Sequence, residues 1–92
     1  MYEITKDQYK IAEKIGVLIF PSDNVKKKID VYTKDGLFFA SIGSSAHKDY
    51  FIYYRDDGKD YATTRRRLYD LRTKKNYVGG RAWLARKLLW SL

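Results

Sequence analysis

The chain has 92 residues, 45% of them hydrophobic, with one proline and no cysteine. It therefore reads as one folded domain, residues 1–92, held by packing alone, and the composition excludes disulfides, a thiol nucleophile and a Cys-based zinc site. The formal charge of +8 is local: residues 1–64 carry ten Lys/Arg and ten Asp/Glu, whereas residues 65–92 carry nine Lys/Arg against one acid, Asp70. Charge segregated in this way concentrates polyanions, so the partner expected is a nucleic acid or an acidic protein surface.

In chain order, Thr5 and Gln8 make a capping-box pattern with Ile4 and Tyr9 placed as its hydrophobic staple. Tyr9, Ala12 and Ile15 follow at near-helical spacing and Gly16 offers a left-handed stop, which predicts a helix over about 6–15. Residues 17–20 are apolar and extended, ending at Pro21, and a polar connection with three consecutive lysines follows. Ile29 and Val31 alternate with polar residues before Asp35 and Gly36, which predicts a hairpin over about 28–42 with a two-residue type I′ turn. In that register Val31 faces Ala40, Ile29 faces Ile42 and Tyr32 faces Phe39. Both faces are apolar, so the hairpin is expected to be covered on both sides. The run at 49–54, Asp-Tyr-Phe-Ile-Tyr-Tyr, is ambiguous, and its aromatic density favours a strand.

Asp57 is placed to cap a helix over about 59–75, with Tyr61, Thr64, Leu68 and Leu71 as its buried stripe. A last helix is expected over about 81–91. The fold class expected is α+β: a β-hairpin or small three-stranded antiparallel sheet packed against two or three helices. The longest apolar run is far too short to span a bilayer and the polar N-terminus is unlike a signal peptide, so neither a membrane nor secretion is expected.

The C-terminal part carries an ordered set of residues: Asp49, Tyr50 and Ile52; then Lys59, Tyr61, Arg65 and Arg66; then Ala85, Arg86, Leu88, Leu89 and Trp90. Residues 27–32 and 40–43 precede it as a Lys-rich strand and a hydrophobic-Gly segment. Over roughly residues 26–92 this resembles a family of small basic proteins of unknown function encoded by large DNA viruses of algae and amoebae. The chain departs from that pattern at the position of Arg66, where the family commonly has His after the Arg and this chain has Arg, and at Lys87, where an aromatic is common. The resemblance implies a viral source and a setting in the virion or the host cytoplasm or nucleus, and it carries no enzymatic chemistry over.

Among the basic residues, Arg65, Arg66 and Arg67 point about 100° apart on a helix and cannot form one patch. Arg65 and Arg72 share a face with Tyr69 alongside, an arrangement suited to gripping phosphates while the ring stacks on a base. Lys74, Lys75, Arg86 and Lys87 complete the candidate set for nucleic acid or an acidic partner. The competing reading is a solvated helix face salt-bridged to Asp70 and to the cluster Asp56, Asp57 and Asp60. In the last helix Leu84, Ala85, Leu88 and Leu92 form one stripe. Trp83 and Trp90 fall opposite with Arg86 and Lys87 between them, as candidate anchors for a protein interface or for self-association into a homo-oligomer. The competing reading there is a helix covered on both sides by its own domain.

His47 with Asp49 is too small a set for a structural metal site, and residues 56–60 lack the spacing of a calcium loop. No catalytic constellation, metal site or cofactor motif is recognised. The expectation is a non-enzymatic, virus-encoded accessory protein without a cofactor, a minor capsid or other virion component that binds an acidic surface or the packaged genome. The alternative is a free-standing nucleic-acid-binding protein using the same Arg/Lys cluster.

Overall fold

The computed structural model describes residues 1–73 and 78–92. Four helices and a three-stranded antiparallel sheet make an α+β chain, in the order α1 (Lys6–Ile15), β1 (Val17–Pro21), β2 (Lys27–Thr33), β3 (Phe38–Ser44), α2 (Tyr50–Asp57), α3 (Lys59–Thr73) and α4 (Arg81–Trp90). They fall into two compact units, Met1–His47 and Lys48–Leu92.

In the first unit, α1 starts where the capping box places it. Thr5 Oγ1 accepts from the Gln8 amide and Gln8 Oε1 accepts from the Thr5 amide. It ends at Gly16, whose φ of 81° is left-handed and whose amide reaches the carbonyls of Ala12 and Glu13. The sheet order is β1-β2-β3. Ile19 pairs with Val31 and Val31 with Ala40; Pro21 pairs with Ile29 and Ile29 with Ile42. One sheet face therefore collects Ile19, Ile29, Val31, Ala40 and Ile42, all buried, as is Ala12 of α1.

The hairpin differs from the expected one in two places. Its loop holds three residues, because the Thr33 amide donates to the Leu37 carbonyl and the Gly36 amide to the Thr33 carbonyl. Gly36 alone in that loop has positive φ, 89°, so a type I′ turn at Asp35 and Gly36 is excluded. This is the three-residue loop in which a left-handed glycine follows an ordinary turn. Tyr32 then pairs with Phe38, not Phe39, and a bulge follows that leaves Phe39 without a partner on β2. The extra loop residue shifts the register by one and the bulge shifts it back, so the core pairs Val31 with Ala40 and Ile29 with Ile42 are those the shorter turn predicts.

The second sheet face is not covered as expected. Leu18, Tyr32 and Phe38 lie side by side across the three strands, next to Phe20, Asp30 and Ser41. Phe20 and Phe38 are 51% and 57% exposed. Tyr32 meets both rings edge-on at 5.5 Å, and Ser41 Oγ donates to Asp30 Oδ1 at 2.6 Å.

In the second unit, residues 50–57 are helical rather than extended. Asp49, buried, accepts the Ile52 amide on its side chain at 3.0 Å, a cap that starts a helix regardless of the aromatic content behind it. That helix, α2, runs through Asp57, so Asp57 does not cap α3. Gly58 separates the two helices with φ 91°, its amide closing α2 on Tyr54 and its carbonyl accepting from Ala62. The three helices pack pairwise: α2 on α3, α3 on α4 and α2 on α4. Leu84, Leu88, Leu89 and Trp90 of α4 are buried, while Ala85 and Leu92 are partly exposed. At its end Ser91 takes φ 54° and the Leu92 amide bonds the Arg86 carbonyl, a closing motif more usual for glycine.

Candidate functional site

The decisive feature of the second unit is the rotation of α3. Tyr61, Leu68 and Leu71 face solvent at 48%, 49% and 61% exposure, and Thr64 is exposed with them. The stripe expected to be buried is therefore the outward one. The inward face, at the same helical spacing, is Ala62, Arg65, Arg66, Tyr69, Asp70 and Thr73: Ala62 is fully buried and the others are half-buried.

Aromatic rings on α2 and α4 account for that inversion. The Arg66 guanidinium sits 4.3 Å from the Tyr50 ring centre and the Arg65 guanidinium 5.3 Å from that of Tyr53. Each such contact contributes ~0.5–2 kcal/mol, more as water is excluded. Among the described residues the buried Arg65 Nε has no hydrogen-bond acceptor, and the guanidinium meets the Tyr53 ring. Tyr69 stacks on Trp90 with centroids 4.3 Å apart and planes 10° apart, and Tyr53 lies 6.3 Å from the same indole.

Arg86 closes the cluster from α4. It donates to Asp70 Oδ1 at 2.6 Å and to Thr73 Oγ1 at 2.7 Å, and its side chain is only 16% exposed. Asp70, the single acid of the basic segment, is thus engaged by Arg86. Asp56 and Asp57 pair elsewhere, with Lys48 at 3.5 and 3.2 Å, and Asp56 with Arg55 at 2.9 Å. The hydrogen bond from Arg55 and the nearby Lys48 hold the Asp56 carboxyl below its ordinary range. The hydrogen bond to Asp57 raises Lys48. Among the described residues none of these acids forms an ion pair with Arg65, Arg66, Arg67 or Arg72. Burial pushes the Tyr69 phenol up, against the pull of Arg86, Arg72 and the Thr73 hydroxyl.

The candidate residues thus separate into two groups. Arg65, Arg66, Arg86 and Tyr69 are turned inward onto rings, Asp70 and Thr73. Arg72 is exposed, with its guanidinium 5.5 Å from the Tyr69 ring centre. Lys87 spans between the Trp83 ring, 5.6 Å away, and the Leu92 carbonyl, 2.5 Å away. Trp83 is half-buried, and Trp90 is buried within its own unit. Lys74 and Lys75 lie outside the described residues.

What the sequence did not reveal is that Arg67, named there only within the Arg65–Arg67 triplet, borders an exposed stripe that was expected to be buried. Thr64 Oγ1 donates back to the Asp60 carbonyl, so its hydroxyl is satisfied within the helix and its methyl joins Tyr61, Leu68 and Leu71. At about 100° per residue, Arg67 and Arg72 flank that stripe on opposite sides. Both are exposed, and among the described residues neither forms an ion pair. The signal for this orientation was present in the spacing of Tyr50 and Tyr53, which on a helix present two ring faces to Arg65 and Arg66.

Among the described residues no group of His, Cys, Asp and Glu is placed to hold a metal ion, and no helix is long and apolar enough to cross a membrane. Comparison with known protein families, with curated proteins and with solved structures finds no match.

Proposed function

We propose that this chain is a non-enzymatic, virus-encoded accessory protein, a minor component of the virion, that works by docking on an acidic protein surface of the coat. The observation that carries the docking reading is the outward face of α3, where exposed leucines lie between two exposed arginines. A phosphate backbone complements cations but offers nothing to an apolar stripe, whereas a protein surface complements both. Part of the set suited to nucleic acid is turned inward: Tyr69 has one ring face against Trp90, and Arg65 and Arg66 lie on tyrosines, while Arg72 stays exposed. The viral setting rests on the sequence resemblance over residues 26–92.

The second reading, a free-standing nucleic-acid-binding protein, draws on the charge segregation alone. Quantitative proteomics of purified virus particles separates the two. Reproducible copies per particle, retained after nuclease treatment, support the first. Absence from particles, with nucleic acid co-purifying with the free protein, rejects it in favour of the second.

A further inference from the structure

The stripe on α3 runs from Tyr61 through Thr64 and Leu68 to Leu71, eleven residues and roughly 15 Å along the helix axis. It is one side chain wide, so it forms a ridge along a helix. Ridges of this geometry pack into the grooves of a second helix. Arg67 and Arg72 stand on opposite sides of it, so a partner must place negative charge on both flanks of its own apolar seam. That is the pattern of an amphipathic helix whose seam is bordered by acidic residues, as in the charge pairing that sets partner choice in coiled coils. A second copy of the same face would set two arginines against two arginines, with Asp60 the one acid beside the stripe among the described residues of α3.

We propose that the outward face of α3 docks an acidic amphipathic helix of a partner protein, with Tyr61, Leu68 and Leu71 forming the apolar contact and Arg67 and Arg72 pairing with carboxylates on either side. This rests on the acidic-surface reading above and gives that surface a shape. Flanking charges would select the partner and speed its approach, while the leucines would set how long it stays.

The test uses the full chain and two synthetic three-heptad helices. Both have leucine at the seam positions; one has glutamate and the other lysine at the flanking positions. Binding is measured by titration calorimetry, beside a generic DNA duplex. The glutamate helix should bind and the lysine helix should not. The double variants Leu68→Ala/Leu71→Ala and Arg67→Gln/Arg72→Gln should each weaken binding by ~10-fold or more. The leucines are exposed and alanine favours helix, so circular dichroism should show both variants folded. Equal binding of the glutamate helix to wild type and to the leucine variant would overturn the ridge and leave the acidic-surface reading standing. Binding of the duplex with neither helix would overturn both. A wild-type dimer that the leucine variant abolishes would assign the stripe to a second copy and overturn the helix partner alone.

Discussion

Tyr69 and Trp90 lie face to face, with ring centres 4.3 Å apart, and this stack joins the middle of α3 to the last turn of α4. It fixes the rotation of α3: with Tyr69 inward, Arg65, Arg66 and Thr73 must be inward too, and Leu68 and Leu71 must be outward. Trp90→Ala should therefore cost ~3–5 kcal/mol of folding stability, the range for removing a large buried ring. Tyr69→Phe keeps the stacked ring and should cost much less. Denaturant melts followed by tryptophan fluorescence and circular dichroism measure both. A Trp90→Ala protein with wild-type stability would remove the stack from the core.

The same burial makes the Tyr69 phenol resist ionisation. Its folded-state pKa is raised above the ordinary phenol value of about 10. The folded state thus holds the proton more tightly than the unfolded state. The associated stability is fully present below that ordinary value and is lost as pH rises through the folded pKa. Ultraviolet titration should show a late phenol ionisation, and Tyr69→Phe should remove that late step. Because Arg86 and Arg72 pull the phenol down, Arg86→Met should delay it further.

The Asp70–Arg86 pair is close, 2.6 Å, and Arg86 also acts on this phenol. Asp70→Asn should destabilise by ~1–3 kcal/mol, since Arg86 is left largely buried with Thr73 as its remaining partner. Thermal melts across salt concentration check this. An exposed ion pair would fade with salt; this one should persist because the arginine is shielded from solvent.

Gly36 has φ 89° and open space where a Cβ would sit. Gly36→Ala should therefore destabilise by ~1 kcal/mol or more through backbone strain alone. Asp35→Gly should give no gain, because Asp35 has no positive φ to relieve. A gain from Asp35→Gly would restore the type I′ turn and reject the three-residue loop.

Local signals carried most of what could be read from the chain. The first helix was legible because Thr5, Gln8 and Gly16 act within a few residues of one another. The sheet core was legible because Ile29, Val31, Ala40 and Ile42 alternate, even though both the loop length and the bulge at Phe39 were missed. Residues 50–57 were not legible from aromatic content; the cap at Asp49 decides them. The α3 face was inverted because leucines ordinarily bury before arginines do. Here α2 and α4 supply tyrosine and tryptophan rings that planar guanidinium groups cover well, a tertiary fact with no trace inside α3 itself. The cations nominated for binding were chosen by charge and helical spacing, and neither reports which side of a helix meets its neighbours.

That last point can be measured directly, because α3 holds two pairs of arginines of equal charge and different exposure. Arg65 and Arg66 are half-buried over Tyr53 and Tyr50; Arg67 and Arg72 are exposed. Replacing either pair by glutamine removes two charges. If binding answered only to net charge, both variants would lose equal affinity for an acidic probe. The geometry gives a different outcome. Arg67→Gln/Arg72→Gln should leave melting within ~1 kcal/mol of wild type and flatten the salt dependence of binding by about two contacts. Arg65→Gln/Arg66→Gln should leave that salt dependence nearly unchanged and destabilise by ~1–4 kcal/mol, as two ring contacts and their packed side-chain stems are lost. The comparison is made by denaturant melts and by titration of polyglutamate and of DNA duplex at several salt concentrations. Equal losses of binding from the two pairs would mean that binding answers to net charge alone, and would remove the placement of the arginines from the account.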